Sequence, residues 1–257
     1  MNPALAWPAE SICEAVAPRL PGFTVEVLPE LDSTNSELMR RARASHVEPV
    51  LLVAERQTAG RGRLGRAWQA EPGASLTFSL GLPLAPADWS GLSLAVGVAV
   101  AESLDTRIAL KWPNDLWVEG RKLGGILVET ASLGGGSAGA ARYTVIGIGL
   151  NLATRTDEGL STPPAALRDL WPGAQAGEVL LRVAPALVDA VLDFQAAGFE
   201  PFHARYEARD LLRGRAVNLS DGMAGTALGV SGQGGLLVHT ASGVTTVTSA
   251  EVSVRPA

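Results

Sequence analysis

Two lysines stand among nineteen arginines in this 257-residue chain, and both, Lys111 and Lys122, fall within one twelve-residue stretch. A lysine carries a compact, movable ammonium where an arginine carries a planar fork. Two lysines kept together in an arginine-rich chain therefore point to a site that uses the former, with a bias toward Arg codons as the plain alternative. Upstream lies a second cationic segment, Gln57-Thr58-Ala59-Gly60-Arg61-Gly62-Arg63-Leu64-Gly65-Arg66-Ala67-Trp68. Its glycines let backbone N–H groups approach an anion, and its arginines supply forked donors. Such a loop is also flexible enough to close over a ligand. A Gly-Arg run is equally what an RGG-like nucleic-acid loop or a solvated turn contains. Together the two segments suggest a site that holds two anions close to each other.

Lys111 opens Lys111-Trp112-Pro113-Asn114-Asp115. The Trp-Pro step fixes the backbone, and an Asn-Asp pair either binds a metal-bridged phosphate or caps a turn. Lys122 opens Lys122-Leu123-Gly124-Gly125-Ile126. A regular strand there puts Lys122, Gly124 and Ile126 on one face, and a bulge exchanges Gly124 for Gly125. Gly147, Gly149 and Asn151 alternate in the same way. Glycines at alternate positions of two strands fit a molecule lying flat on the sheet against backbone, or tight packing against a helix. The three histidines (His46, His203, His239) are not placed for a Ser-His or Cys-His pair, and CxxC, HExxH and Gly-x-Ser-x-Gly are absent. Neither a protein nucleophile nor structural zinc is indicated. The chemistry that fits brings its own nucleophile, while the protein supplies cations and orientation. A carboxylate attacking the α-phosphate of ATP, with Lys, Arg and Mg²⁺ offsetting the repulsion, is such a reaction.

The elements that must position these groups read as follows. Helices are expected over 11–20 (capped by Ser11, stopped by Pro21-Gly22), from a capping box Thr34-Asn35-Ser36-Glu37 through Arg43, and over 92–104, 163–170 and 177–197, the last kinked or broken at Pro185. Strands are expected over 23–28, 50–54, 76–80, 108–111, 116–118, 123–130 and 143–150. The run 134–139 reads as a hairpin connection, since no Gly-Lys-Ser/Thr follows it to make a phosphate loop. Residues 215–257 hold short, Gly-punctuated, Val/Thr-rich runs, the pattern of a small all-β barrel, with a boundary near 209–214.

Composition excludes several classes. Hydrophobic content of 47% and charged content of 18% describe a globular chain, and a net charge of −5 argues against general nucleic-acid binding. A single cysteine, Cys13, permits no internal disulfide and fits a reducing compartment. The start has no basic n-region, and the longest apolar run, 92–101, is too short to span a bilayer, so a cytoplasmic protein without signal peptide or membrane segment is expected.

In their order along the chain these motifs closely resemble those of the biotin protein ligases (biotin–[acetyl-CoA-carboxylase] ligases). The carriers are Asp32-Ser33-Thr34-Asn35, Gln57 with the Gly60 to Trp68 segment, Lys111-Trp112-Pro113-Asn114-Asp115, Arg121-Lys122-Leu123-Gly124-Gly125-Ile126-Leu127 and Gly147-Ile148-Gly149-Leu150-Asn151. The resemblance implies an α+β fold: a mixed sheet packed with helices, like that of class II aminoacyl-tRNA synthetases, over 1–210, and an SH3-like β barrel over 211–257. It implies ATP and biotin as substrates and Mg²⁺ as cofactor. Biotin would be bound by Ser33, Thr34, Asn35, Gln57, Arg61, Gly62, Arg63, Trp68, Lys122, Gly125, Gly147 and Gly149. Arg61, Arg63, Arg66, Lys111, Asn114, Asn151 and Trp171 would face ATP or the adenylate, and Asn114 and Asp115 the metal. Lys122 and Arg61 would be the catalytic pair. The partner would be a biotin carboxyl carrier protein domain of acetyl-CoA carboxylase or a related carboxylase. Neither nucleic acid nor membrane is expected, and the pattern is compatible with a homodimer. Some members carry an N-terminal helix-turn-helix domain; here the pattern begins near residue 25, so a ligase that binds no operator is expected. The competing readings are a lipoate or octanoate ligase or transferase, and a non-catalytic biotin-binding regulator.

Overall fold

The computed structural model describes residues 7–133, 140–154, 164–220, 222–248 and 254–256. Its centre is a seven-stranded sheet in the order β1-β2-β3-β7-β6-β5-β4. The strands are β1 (Thr24–Leu31), β2 (Val50–Gln57), β3 (Ser75–Leu84), β4 (Ala109–Lys111), β5 (Asp115–Val118), β6 (Arg121–Ser132) and β7 (Arg142–Asn151). β1 and β2 run parallel, joined by helix α2 (Thr34–Arg43), and the other neighbours are antiparallel, so the sheet is mixed.

Strand side chains alternate between the two faces, and here the faces have different work. Leu51, Val53, Phe78, Leu80, Ile146 and Ile148 point to one side and merge with helices α3 (Leu92–Leu104) and α4 (Ala176–Ala197) in the main core. α3 is buried nearly all round, from Leu92 to Ala101, because it lies between sheet and α4. On the other side Val50, Leu52, Tyr143 and Val145 meet Leu38 of α2. α2 covers only part of that face. Further along β7 the same parity continues as Gly147, Gly149 and Asn151, which leaves room above the sheet.

Helices α1 (Ala9–Val16) and α5 (Glu200–Glu207) complete the helical part. The C-terminal part is an SH3-like antiparallel sheet in the order β11-β10-β9-β8-β12, built from β8 (Ala216–Leu219), β9 (Ala224–Val230), β10 (Leu236–Thr240), β11 (Gly243–Val247) and β12 (Val254–Pro256). Its inward residues Val217, Ala227, Val230, Leu236 and Val238 continue the main core. Leu110 of β4 pairs with the chain just before this sheet, its N–H on the Arg209 carbonyl (2.8 Å) and its carbonyl accepting from Leu211 (2.9 Å). The Trp112 indole N–H, buried, donates to the Gly234 carbonyl at 3.1 Å.

Several local expectations need correction. α1 begins at Ala9 with Pro8 at its cap position, so Ser11 lies inside it, and it ends at Val16 rather than residue 20. α2 is capped by Ser33, whose Oγ accepts from the Ser36 N–H at 3.4 Å; Thr34 is the first helical residue. Glu37 therefore turns outward to Arg40 and Arg41 instead of closing a capping box. The helix expected over 163–170 is absent among the described residues: Pro164 bridges to Lys122, the Ala165 N–H goes to the Lys122 carbonyl, and only a 3-10 turn, Leu167–Asp169, follows. α4 runs unbroken through Pro185. Burial of Leu180, Val183, Ala184, Leu187 and Val188 around the proline against the core outweighs the ~3 kcal/mol cost of an interior proline. The glycine run 134–139 lies outside the described residues; the strands on either side of it are antiparallel, with Ser132 opposite Arg142.

Candidate active site

The open part of the sheet forms the floor of a cavity of about 410 Å³. Its floor is glycine because anything larger collides. A Cβ on Gly149 would stand 2.6 Å from Trp68 Cζ2 and 2.7 Å from its Nε1; one on Gly147 would stand 2.9 Å from Asn35 Cγ. On β6 the ambiguity between Gly124 and Gly125 is settled by a bulge: Leu116 pairs with Gly124 but Trp117 pairs with Lys122, so Leu123 is the extra residue. Gly124 then faces the Leu116 and Leu150 side chains, while Lys122 and Gly125 both line the cavity.

One wall is the start of α2. Ser33, Thr34 and Asn35 are almost fully buried polar residues, and burial without partners would cost each of them 1–3 kcal/mol, so they come with a network. Gln57 Oε1 accepts from the Thr34 N–H (2.7 Å) and hydroxyl (3.2 Å), which leaves Nε2 as the donor end of that amide. Ser79 Oγ reaches both Asn35 Oδ1 (2.6 Å) and Thr34 Oγ1 (2.7 Å) with its one proton, and Asn35 Nδ2 donates to the Leu127 carbonyl (3.2 Å) and to Glu129 (2.9 Å). The wall thus presents an oriented mixture of donors and acceptors rather than a charge.

The lid side is the Gly-Arg segment. It folds back on itself, with the Trp68 N–H on the Gly60 carbonyl (2.8 Å), the Gly62 N–H on the Arg66 carbonyl (2.7 Å) and a bridge between Arg61 and Ala67. Gly62 lies in extended backbone at the cavity wall. Leu64, at φ 56°, is 55% exposed at the tip. Arg61 holds Glu129 at 2.8 Å, and Arg63 donates to Asn114 Oδ1 at 3.3 Å. Burial lowers the Arg63 guanidinium below its ordinary pKa.

Arg61, Arg63, Arg66, Lys111 and Lys122 all line the cavity, against one carboxylate among the described residues, Asp115, which pairs with Lys122 at 2.7 Å. Lys122 Nζ also stands 6.0 Å from the Trp68 ring. Asn114 closes its turn through Nδ2 to the Ile126 carbonyl (2.7 Å), which is the turn-capping reading, and it also lines the cavity. Asn151 donates to the Lys122 carbonyl at 3.2 Å, fixing the backbone under the ammonium. Ser33, Thr34, Asn35, Gln57, Trp68, Gly125, Gly147, Gly149 and Asn151 meet in this same cavity. Trp171 does not: its N–H bonds the Leu167 carbonyl, its ring packs on the core, and Arg182 lies over that ring at 4.2 Å. Sequence reasoning missed Glu129 and Ser79. Glu129 was within reach, since Gly125, Leu127 and Glu129 share the period-2 parity of β6; Ser79 looks like any buried strand serine. Among the described residues no three His, Cys, Asp or Glu side chains gather as a metal centre.

An open, cation-rich cavity beside a neutral hydrogen-bonding wall can bind an uncharged polar ring at one end and anions at the other. Comparison with known proteins gives the same motifs a family. Residues 27–151 match the Biotin/lipoate A/B protein ligase family, and residues 212–255 match the Biotin protein ligase C terminal domain. The chain is 32% identical over 244 residues to a biotin--[acetyl-CoA-carboxylase] ligase of Mycobacterium tuberculosis, covering 89% of this chain and 88% of that one.

This chain belongs to the biotin protein ligase family.

It is also 35% identical over 254 residues to the bifunctional ligase/repressor BirA of Escherichia coli, covering 93% of this chain and 76% of that protein. Among solved structures, the Aquifex aeolicus biotin protein ligase in complex with biotin and ATP superimposes with a TM-score of 0.76 at 30% identity, over 91% of this chain and 99% of that one. Family and fold agree over both parts of the chain, the mixed sheet and the SH3-like sheet. No helix among the described residues is long and apolar enough to cross a membrane.

Proposed function

We propose that the cavity performs both steps of ATP-dependent biotin transfer to a protein lysine. In the first step the biotin carboxylate oxygen attacks the α-phosphorus of ATP. An acyl P–O bond forms, the bond from the α-phosphorus to the bridging oxygen breaks, and pyrophosphate leaves. In the second step a lysine amine of the carrier attacks the acyl carbon, an amide forms, and AMP departs as the amine loses its proton. The protein contributes no covalent group to either step. It supplies charge where charge gathers, and it holds two mutually repelling anions at bonding distance.

The observation that carries this reading is that the Gly-Arg flap and Lys122 face one cavity, above a glycine floor and beside a neutral polar wall. The wall suits the ureido ring, a planar group with two N–H donors and one carbonyl acceptor. Gln57 Nε2 would donate to that carbonyl, while Asn35 Oδ1 and the Ser33 and Thr34 hydroxyls would accept from its N–H groups. Trp68 would lie along the aliphatic chain. Lys122 would meet the carboxylate and then the acyl phosphate, and Arg61, Arg63, Arg66 and Lys111 would surround the phosphates, with Asn114 and Asn151 at their edge. The donor set fits Mg²⁺ brought in with the nucleotide, since that ion binds through one or two carboxylates plus substrate phosphates, and Asp115 provides one such carboxylate beside Asn114. Mg²⁺ would neutralise phosphate charge. We assign residues 1–210 to catalysis and 211–257 to a supporting β unit, and we take the carrier to be the biotinylated domain of a carboxylase, as the name of the M. tuberculosis relative indicates. A consumer of ATP with one free cysteine belongs in a reducing cytoplasm.

The test is biotin-dependent ATP–pyrophosphate exchange, followed by mass spectrometry of a carrier domain after incubation with biotin, ATP, Mg²⁺ and the protein. Exchange together with addition of one biotin to the carrier is expected. A folded protein that shows neither, or that prefers lipoate or octanoate in a panel with biotin, overturns the reading.

A further inference from the structure

Glu129 does not line the cavity, yet it touches two groups that do. One carboxylate oxygen receives Arg61 Nη2 at 2.8 Å; the other receives Asn35 Nδ2 at 2.9 Å and Arg61 Nη1 at 3.4 Å. Its side chain is only 22% exposed, and it sits on β6 two residues beyond Leu127, whose carbonyl takes the second Asn35 N–H. Arg61 is held from a second direction as well, by Ser36 Oγ at 3.2 Å.

These bonds decide which end of the Asn35 amide is available. Both hydrogens of Nδ2 are committed, one to Glu129 and one to the strand backbone, so Nδ2 cannot turn toward a ligand. Oδ1 takes one hydrogen bond from Ser79 and keeps a second lone pair. An anionic acceptor behind Nδ2 also makes the flipped amide unfavourable, because Oδ1 would then face a carboxylate. Glu129 therefore selects the acceptor end of Asn35 for the cavity. The same carboxylate gives Arg61 a defined position.

We propose that Glu129 is a positioning residue which sets the hydrogen-bonding polarity of Asn35 toward the N–H donors of the ring-bearing substrate and, through its other oxygen, ties the flap arginine to the same point. The two subsites of the cavity then share one anchor. Loss of that anchor weakens ring binding through Asn35 and frees the flap through Arg61, by separable routes. The first needs only a hydrogen-bond acceptor at position 129; the second needs a negative charge. The proposal rests on the assignment of biotin to this cavity.

The test uses the full-length protein with Glu129→Ala, Glu129→Gln and Asn35→Ala singly, and with Glu129→Ala and Asn35→Ala combined. Biotin binding is measured by calorimetry, and flap exposure by the rate of tryptic cleavage at Arg61, Arg63 and Arg66 without ligand. Glu129→Ala is expected to weaken biotin binding roughly tenfold, the cost of losing one oriented charge-assisted hydrogen bond. Glu129→Gln, an isosteric acceptor that keeps the fold, is expected to recover most of that affinity. Both are expected to raise flap cleavage severalfold. In the Asn35→Ala background, Glu129→Ala is expected to add less than a twofold loss in biotin affinity. Full additivity with Asn35→Ala overturns the proposal, as does wild-type affinity in Glu129→Ala or no recovery in Glu129→Gln. A wild-type protein that binds no biotin is a different result, and it falls on the proposed function rather than on the role of Glu129.

Discussion

The glycine floor yields a prediction that separates cavity shape from fold stability. In Gly149→Ala the new Cβ would lie 2.6 Å from Trp68 Cζ2 and 2.7 Å from Nε1. Relaxed contacts between such atoms need about 3.5–4.0 Å, so the indole must retreat by about 1 Å. It can do so, because Trp68 ends a surface flap anchored by a few backbone bonds, whereas Gly149 is fixed in β7 between β3 and β6. The sheet stays and the flap yields. A misplacement of about 1 Å in a positioning group costs on the order of 10²-fold, or about 2.7 kcal/mol of transition-state stabilisation. Gly149→Ala is therefore expected to melt within a few degrees of wild type while losing roughly 10²-fold in kcat/KM for biotin in pyrophosphate exchange. Gly147→Ala is the internal contrast. There the Cβ would meet Asn35, which is 3% exposed and held by three side-chain hydrogen bonds, so nothing can retreat. That variant is expected to lose about 1–3 kcal/mol of stability as well as activity, the usual cost of overpacking. A Gly149→Ala protein with kcat/KM within threefold of wild type would refute the reasoning. So would a melting temperature lowered as far as that of Gly147→Ala.

Three further outcomes are expected. Lys122→Ala should lower adenylation by roughly 10²–10³, as for loss of one preorganised charge donor, while its folding changes by only about 1 kcal/mol because the Lys122–Asp115 pair is partly exposed; exchange rates and urea melts check both. Tyr206→Phe should leave stability unchanged or raise it by about 1 kcal/mol, since the hydroxyl is buried without a hydrogen-bond partner among the described residues; a clear drop in melting temperature would contradict this. Stability should fall as the solution is acidified from about pH 4 toward pH 2. Hydrogen bonding to Arg40 lowers the Asp32 carboxyl to about 2, and Arg107 does the same for Asp105. A folded pKa below the unfolded one gives stability that is present above the unfolded value and lost as pH drops through the folded one. Asp210 acts the opposite way, because burial raises its pKa; its carboxylate opposes folding as pH rises above the ordinary value, so Asp210→Asn should add stability at pH 7.

How far the sequence could be read follows from what kind of signal each feature leaves. The α3 span was legible because a mostly apolar run between Gly91 and Asp105, broken only by Ser93, Glu102 and Ser103, is too long for a buried strand. The strands were legible as runs but not at their ends: β2 extends to Gln57 and β3 to Leu84, because ladder bonds to β1 and β7 continue past the apolar stretch. The alternating glycines of β7 left two readings open, a ligand on the sheet or tight packing, and the structure shows close packing there: Asn35 of α2 lies over Gly147 and Trp68 over Gly149, beside the cavity. Other features were set by distant partners. Residues 164–169 have helix-forming alanines, yet the Ala165 and Arg168 N–H groups go to Lys122 and Leu152, which no local pattern announces. Thr34 and Ser33 are both good caps, and the choice fell on Ser33 because the Thr34 N–H is taken by Gln57, 23 residues away. Trp171 faces the nucleotide only in what the resemblance implies; in the structure its ring packs on the core under Arg182, outside the cavity lining.

The electrostatic arrangement also explains why so acidic a chain can grip anions. The net charge is −5, yet among the described residues five cations and one carboxylate line the cavity. Charges more than about 10 Å apart through solvent are screened at ordinary ionic strength, so the exterior acids scarcely reduce the field inside the cleft. Two acids of the site are also paired: Asp115 on the cavity wall with Lys122, and Glu129 behind it with Arg61. Asp115 and Glu129 each fix a cavity-lining cation in place, so these carboxylates belong in the same mutational tests as the lysine and arginine they hold.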